Sequence, residues 1–267
     1  VLGYYRSVAD VMVPHMRGKP LTLRRFPDGI NAGGFFQKEA SSHFPEWVRV
    51  EAIPTASTPV HHVICDNAAT LVYLANQAVL EFHIALSTVS SRNLGTNLDR
   101  PVLAVLDLDP PDGVRLGELR AVARAMCERF RDAGLVPHVQ ATGGRGFHVV
   151  APLTARAHFD EVRAAMREMA DSAAREEPGR LTTEQRKDKR GDRIFLDTNR
   201  NAYGQTVIAP YSLRARPGAP SATPLELSEL SRTTPRDYGL ANMARRLAQK
   251  TDPWADLDAE AARLSAP

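Results

Sequence analysis

"VLAVLDLDPP", residues 102–111, is an aliphatic run that ends on two aspartates, Asp107 and Asp109, and a double proline. Strand alternation puts residues i and i+2 on one face with Cα atoms about 6.5 to 7 Å apart, so the two carboxylates point the same way. Two ionised carboxylates so placed repel each other, and burying either without a partner is costly. The sequence that follows explains why they are kept. Leu116, Leu119, Val122, Met126 and Phe130 fall on one helical face, and Gly134 stops that helix. "VPHVQAT" and "GFHVVAP" read as short strands joined by the glycine-rich "GGRG", a hairpin signature. Phe159, Val162, Met166 and Met169 mark a second helix, and "RIFLD" and "QTVIAPYS" are strands again.

The order β-α-β-β-α-β is the split arrangement of ferredoxin-like and RNA-recognition folds. Its first and third strands are central antiparallel neighbours, and its fourth flanks the first. Asp107 and Asp109 at the end of the first strand therefore lie beside His148 at the start of the third, and the fourth brings Asp197 to the same face. The register of that last strand stays open.

Upstream, Val1 to Met16 reads as an amphipathic helix that begins in mid-pattern, so further chain is expected before it. "KPLTLRRFPDGINAGGFFQKE" is strand-rich, loops run to about Ile64, and Asp66 is the expected N-cap of a helix reaching about His83. The expected fold class is α+β: an RNA-recognition-motif-like catalytic module, 99–235, with an N-terminal α/β module, 1–98, packed against it and a C-terminal helical segment, 236–267. All three form one domain.

Composition narrows the function classes. The chain has 267 residues, 43% of them hydrophobic, enough for a sizeable core. Net charge is only +3, but five of the 34 basic residues are lysines, so arginine carries the positive charge. Its planar fork suits phosphate. The apolar stretch from Ala69 to Leu86 is broken by Asn76, Gln77, Glu81 and His83 and does not read as a membrane span. Cys65 and Cys127 form neither a CxxC pair nor a disulfide framework, and a reducing, cytoplasmic setting is expected.

A divalent cation removes the conflict between the carboxylates. Two such ions about 3.5 to 4 Å apart can share them and clamp a phosphoryl transfer, and oxygen ligands select magnesium or manganese over zinc. The competing reading, helix caps or surface ion pairs, is outweighed by Asp197 and His148. In "TGGRGFH", 142–148, the glycines free backbone N–H groups for an anion-binding concavity and Arg145 adds charge. No GK[ST] follows, so it is not a Walker A loop. Arg214 and Arg216 in "YSLRARPG" alternate onto one side of an extended segment. The charge cluster "RKDKRGDR", 186–193, reads as a solvated loop, with DNA contact the minority reading.

Taken in order, "VLDLDP", "TGGRGFHVVAPL", "RIFLD" and "IAPYSLRARPGAP" resemble the archaeo-eukaryotic primase superfamily, and within it the polymerase domain of bacterial ligase D and its stand-alone relatives. "KPLTLRRFPDG" and "GFFQKE" extend the resemblance over nearly the whole chain. It implies a template-dependent nucleotidyl transferase of bacterial DNA repair, nucleoid-associated, using a two-metal site of Mn2+ or Mg2+ and tending to prefer ribonucleotides. Carried over, Asp107, Asp109 and Asp197 would hold the metals. Thr142, Arg145, Gly146 and His148 would hold the triphosphate, with Arg214 and Arg216 assisting and His83 in the nucleotide pocket. The family usually has serine and lysine where Thr142 and Arg145 stand; both changes keep the donors. Phe35 and Phe36 match a pair that stacks on the template, with Arg24 and Lys38 on the phosphates. Strand alternation predicts that one of the two phenylalanines points outward.

Relatives also bear an N-terminal basic segment that grips a recessed 5′-phosphate, and this sequence begins beyond it. The implied partners are gapped, nicked or broken duplex DNA, nucleoside triphosphates, a separate DNA ligase and an end-binding protein, with no membrane. The rival functions are a non-catalytic DNA-end scaffold and a metal-dependent nuclease.

Overall fold

The first helix, α1 (Leu2–Met16), forms because Tyr5, Val8, Met12 and Met16 recur on one face and are fully buried. The structure, a computed structural model, describes residues 1–89 and 98–264. After α1 come β1 (Leu21–Arg25), β2 (Phe35–Gln37), β3 (Val50–Ile53), β4 (Val60–Val63), α2 (Ala68–Asn76) and β5 (Val79–Ala85). The middle of the chain gives β6 (Leu103–Asp109), α3 (Leu116–Asp132), β7 (His138–Ala141), β8 (Phe147–Pro152), α4 (Phe159–Glu176), β9 (Leu181–Thr182) and β10 (Ile194–Asp197). It closes with β11 (Thr206–Ile208), β12 (Thr223–Leu225) and α5 (Met243–Gln249). No helix among the described residues is long and apolar enough to cross a membrane.

By contact the chain forms two compact units. One comprises Val1–Asp99, Thr206–Thr223 and Tyr238–Asp252; the other comprises Arg100–Gln205, Pro224–Asp237 and Pro253–Pro267. The second holds a six-stranded sheet of order β12-β7-β8-β6-β10-β9, in which β7-β8-β6-β10 is the expected split arrangement. Leu106, Leu108, Phe147, Val149, Ile194 and Leu196 are buried on the face where α3 and α4 pack, which leaves the alternate residues, the carboxylates among them, to the other face.

The first unit contains a sheet of order β11-β5-β1-β2, every pair antiparallel. Two expectations change here. Residues before Ile64 were expected to be loop, but β3 and β4 pair there as a hairpin, too short and too polar to show a clear alternation. The helix expected to run from Asp66 to His83 instead takes Asn67 as its N-cap, whose side chain accepts from Thr70 N, and ends at Asn76. Ala78 then adopts φ 62°, a left-handed conformation that no helix continues through, and "VLEFHIA" proceeds as a strand. His83 therefore stands in mid-strand rather than at a helix end. Asp66 binds instead to Gly18 N and to Arg49.

Candidate active site

Backbone pairing settles the register left open by sequence. Asp107 lies directly opposite His148 of β8 on one side and Asp197 of β10 on the other. Cross-strand partners have Cβ atoms about 4.5 to 5.5 Å apart, so Asp107 and Asp197 can reach one ion between them, with Asp109 two residues along on the same face. A buried asparagine sets this alignment: Asn201 Oδ1 accepts from Val105 N at 2.8 Å, and its Nδ2 donates to Val105 O and Thr198 O. One side chain thereby ties β6, two residues before Asp107, to the turn after Asp197.

Among the described residues, no three His, Cys, Asp or Glu side chains are already gathered as a metal would gather them. The carboxylate oxygens turn to cationic side chains instead. Arg145 bridges Asp109 at 3.1 Å and Asp112 at 2.9 Å, Arg190 approaches Asp109 at 3.4 Å, and His148 Nε2 and Arg200 lie 3.5 and 3.9 Å from Asp107. The Arg145 and Arg200 pairs are open to water and worth about 0 to 1 kcal/mol, so they are readily exchanged, whereas His148 and Arg190 are more enclosed. The donor set, three hard carboxylates in register with an imidazole beside them, fits a divalent cation of the magnesium or manganese type.

The turn from Thr142 to Gly146 is built more tightly than an open anion cradle. The Thr142 hydroxyl donates to Gly146 O at 2.8 Å and accepts from Gly144 N, while Gly143 N donates to Pro235 O. Two of the amides expected to face an anion are thus engaged within the protein, and Thr142 shapes the turn. Arg236 reinforces it through Gly144 O. Gly146 is obligatory, because a Cβ there would lie 1.7 Å from Leu108 O.

The first unit carries His83, Arg24, Phe35, Phe36, Lys38, Arg214 and Arg216. Both phenylalanines are outward, at 49% and 60% exposure, where alternation predicted one; β2 is a three-residue edge strand with neither face covered within its unit. Phe36 meets His83 edge-on at 5.6 Å and has the Arg24 guanidinium 5.3 Å from its ring centre. Lys38, just past β2, is exposed. The Arg214–Arg216 segment is not extended: Arg216 N donates to Arg214 O and Ala219 N to Arg216 O, so the chain turns and Arg214 reaches back toward Glu81.

Glu81 was missed by sequence reasoning, although a carboxylate inside "VLEFH" poses the same question as those in "VLDLD". It is only 2% exposed. Burial would raise its carboxyl, but the His83 hydrogen bond, the Arg214 guanidinium and the Ala215 amide outweigh that and hold it at about 2, against an ordinary 4.5. A carboxylate held low stabilises the fold above its unfolded value and loses that contribution as pH falls through the folded one. About 3 kcal/mol should therefore disappear between pH 4.5 and 2. Urea unfolding across this range should show a steeper loss for the native protein than for Glu81→Gln; equal slopes would refute the depressed value.

Comparison with known proteins shows the family. Residues 1–254 match the family described as LigD, primase-polymerase domain. The chain belongs to the LigD primase-polymerase domain family. Membership makes it a DNA-directed nucleotidyltransferase domain. It is 31% identical over 98% of its length to the multifunctional non-homologous end joining DNA repair protein LigD of Mycobacterium tuberculosis, and 30% identical to the bifunctional LigD of Bacillus subtilis. It spans about a third of the former, 35%, and 40% of the latter. The solved polymerase domain of M. tuberculosis ligase D, in complex with DNA, superposes with a TM-score of 0.89 at 30% identity, covering 98% of this chain and 92% of that one.

Two further residues of this LigD-type domain sit on the carboxylates without having been singled out from sequence. Arg200 follows Asp197 by three positions on a short 3-10 turn, Asn199–Asn201, a spacing that could have flagged it. Arg190, inside the cluster read as a solvated loop, is only 14% exposed. Its guanidinium lies 3.6 Å over the Phe195 ring and donates to Glu184 O and Gln185 O. Nothing local in "RKDKRGDR" distinguishes it, since the contact with Phe195 exists only once β10 has formed.

Proposed function

We propose that this domain lengthens primer 3′ ends at gaps, nicks or breaks in duplex DNA, copying a template and using ribonucleoside triphosphates in preference to deoxyribonucleoside triphosphates. The pairing of Asp107 with both Asp197 and His148 carries the reading, because it gathers three carboxylates at the ends of the interior strands β6 and β10. In the reaction the primer 3′-hydroxyl oxygen attacks the α-phosphorus and a phosphodiester bond forms. The bond to the β-phosphate oxygen breaks, pyrophosphate leaves, and the hydroxyl proton passes to solvent.

Asp107, Asp109 and Asp197 would hold Mn2+ or Mg2+, which when bound lowers the pKa of the hydroxyl and balances the triphosphate charge. Arg145, His148 and the Gly146 turn are assigned to the triphosphate, with Thr142 holding the turn in shape. Arg190 and Arg200, displaced from the carboxylates, supply positive charge beside them. In the first unit, His83, Arg214 and Arg216 are assigned to the nucleotide. Phe35, Phe36, Arg24 and Lys38 are assigned to DNA. Sealing the product would take a DNA ligase, and holding broken ends together an end-binding protein.

The assay is extension of a labelled primer with ribo- or deoxynucleotides, in Mn2+, Mg2+ or chelator. Lengthening that needs the metal and favours ribonucleotides is expected. Shortened strands would establish a nuclease, and DNA bound without any product a scaffold. Phe36→Ala removes an exposed ring and should leave the melting temperature unchanged. Loss of base stacking should cost about 1 to 3 kcal/mol of affinity for gapped duplex, read by fluorescence anisotropy. Unaltered affinity would remove the template assignment.

A further inference from the structure

We infer that Glu81 is a positioning residue that orients His83 and Arg214 toward the nucleotide and holds Arg24, assigned to DNA, beside them, an inference that rests on the nucleotide assignment of His83 and Arg214 above. Its carboxylate gathers groups from three separate segments of the first unit. Oε1 accepts from Ala215 N at 2.8 Å and from Arg24 at 3.3 Å, with Arg214 Nε at 3.5 Å. Oε2 accepts from His83 Nε2 at 3.3 Å and from Arg24 at 3.4 Å. Register explains the convergence: Glu81 is the cross-strand partner of Arg24, which is in turn the partner of Phe36, and Thr22 is the partner of His83, so all five side chains share one face.

Adhesion alone does not account for a charge at this position. Buried ion pairs seldom stabilise more than apolar residues of the same volume, so orientation is the role the Glu81 cluster is inferred to serve. Each partner keeps part of its surface in water while Glu81 holds the rest. One negative charge set against two guanidiniums and an imidazole leaves the patch cationic, and Phe36 supplies a ring at its edge. Cations there suit the phosphates of a nucleotide, next to the ring assigned to the template. The carboxylate at Nε2 also places the ring hydrogen on that nitrogen and so selects the His83 tautomer.

The test compares binding of a fluorescent ribonucleoside triphosphate, by anisotropy, with steady-state extension. Glu81→Gln keeps the size and an acceptor for Ala215 N but removes the charge. It should raise both Kd and KM about tenfold, the scale of a lost charge-assisted contact, with kcat changed far less. It should also shift the His83 ring nitrogen resonances. Adding Arg214→Ala should not compound the loss, because residues acting as one unit are non-additive. Arg214→Lys, which keeps charge but loses the Nε approach to Glu81, gives a second route should Glu81→Gln fail to fold; it should weaken binding nearly as much as Arg214→Ala.

Native affinity in Glu81→Gln, or in Arg214→Lys while Arg214→Ala loses it, would overturn the positioning role and leave the nucleotide assignment standing. Native affinity in both His83→Ala and Arg214→Ala would overturn that assignment, and this inference with it.

Discussion

Asp107→Asn should lower primer extension by about a thousandfold or more, equivalent to about 4 kcal/mol of barrier, while leaving the fold and DNA affinity intact. Asp107 is the one carboxylate with a partner on both neighbouring strands, so its charge is central to the cluster. Stability should not suffer. The residue is only partly buried, its contacts with His148 and Arg200 are 3.5 and 3.9 Å long, and removing one of several mutually repelling carboxylates relieves as much as it costs. A circular-dichroism melt beside a single-turnover extension assay separates the two effects. Substantial residual extension would mean that Asp107 is not at the reacting centre.

Gly146→Ala should be the most damaging single methyl group in the second unit. The added Cβ would overlap Leu108 O at 1.7 Å and Leu108 C at 2.9 Å, and would press Pro110 Cδ at 3.3 Å. Main-chain atoms cannot rotate aside as a side-chain tip can, so β8 must move away from β6. That breaks the Leu108–Phe147 pair and carries Arg145 and His148 away from Asp109 and Asp107. A loss of about 3 to 5 kcal/mol is expected, lowering the melting temperature by about 10 °C or more, and extension should fail even below that temperature. Gly179→Ala is the control in the same unit, since a Cβ there meets nothing within 4 Å and the backbone is not left-handed. Equal melting temperatures for the two variants would show that the turn yields more easily than its geometry implies.

The second unit was legible because its signals are local and agree with one another. An aliphatic strand ends in aspartates, an amphipathic helix stops at Gly134, and a glycine-rich hairpin followed by a second amphipathic helix gives a topology that places Asp107, His148 and Asp197 together. The first unit was less legible. Strand β5 was absorbed into the preceding helix because an apolar run of that length fits either period, and the break at Ala78 is a backbone conformation without a side-chain signature. Phe35 and Phe36 were expected to divide between core and solvent, but an edge strand need bury neither face. Arg190 and Glu81 act through tertiary partners, Phe195 and the distant Asp109 for the one, Arg24 and Arg214 for the other. Their roles follow from tertiary contacts that no local pattern announces.

The most direct measurement is extension of a labelled primer on a gapped duplex with manganese and ribonucleotides, the native protein beside Asp107→Ala/Asp109→Ala. The native protein should lengthen the primer and the double variant, still folded and still binding DNA, should not. Equal lengthening by both would contradict the assignment of the carboxylates as the centre of nucleotidyl transfer.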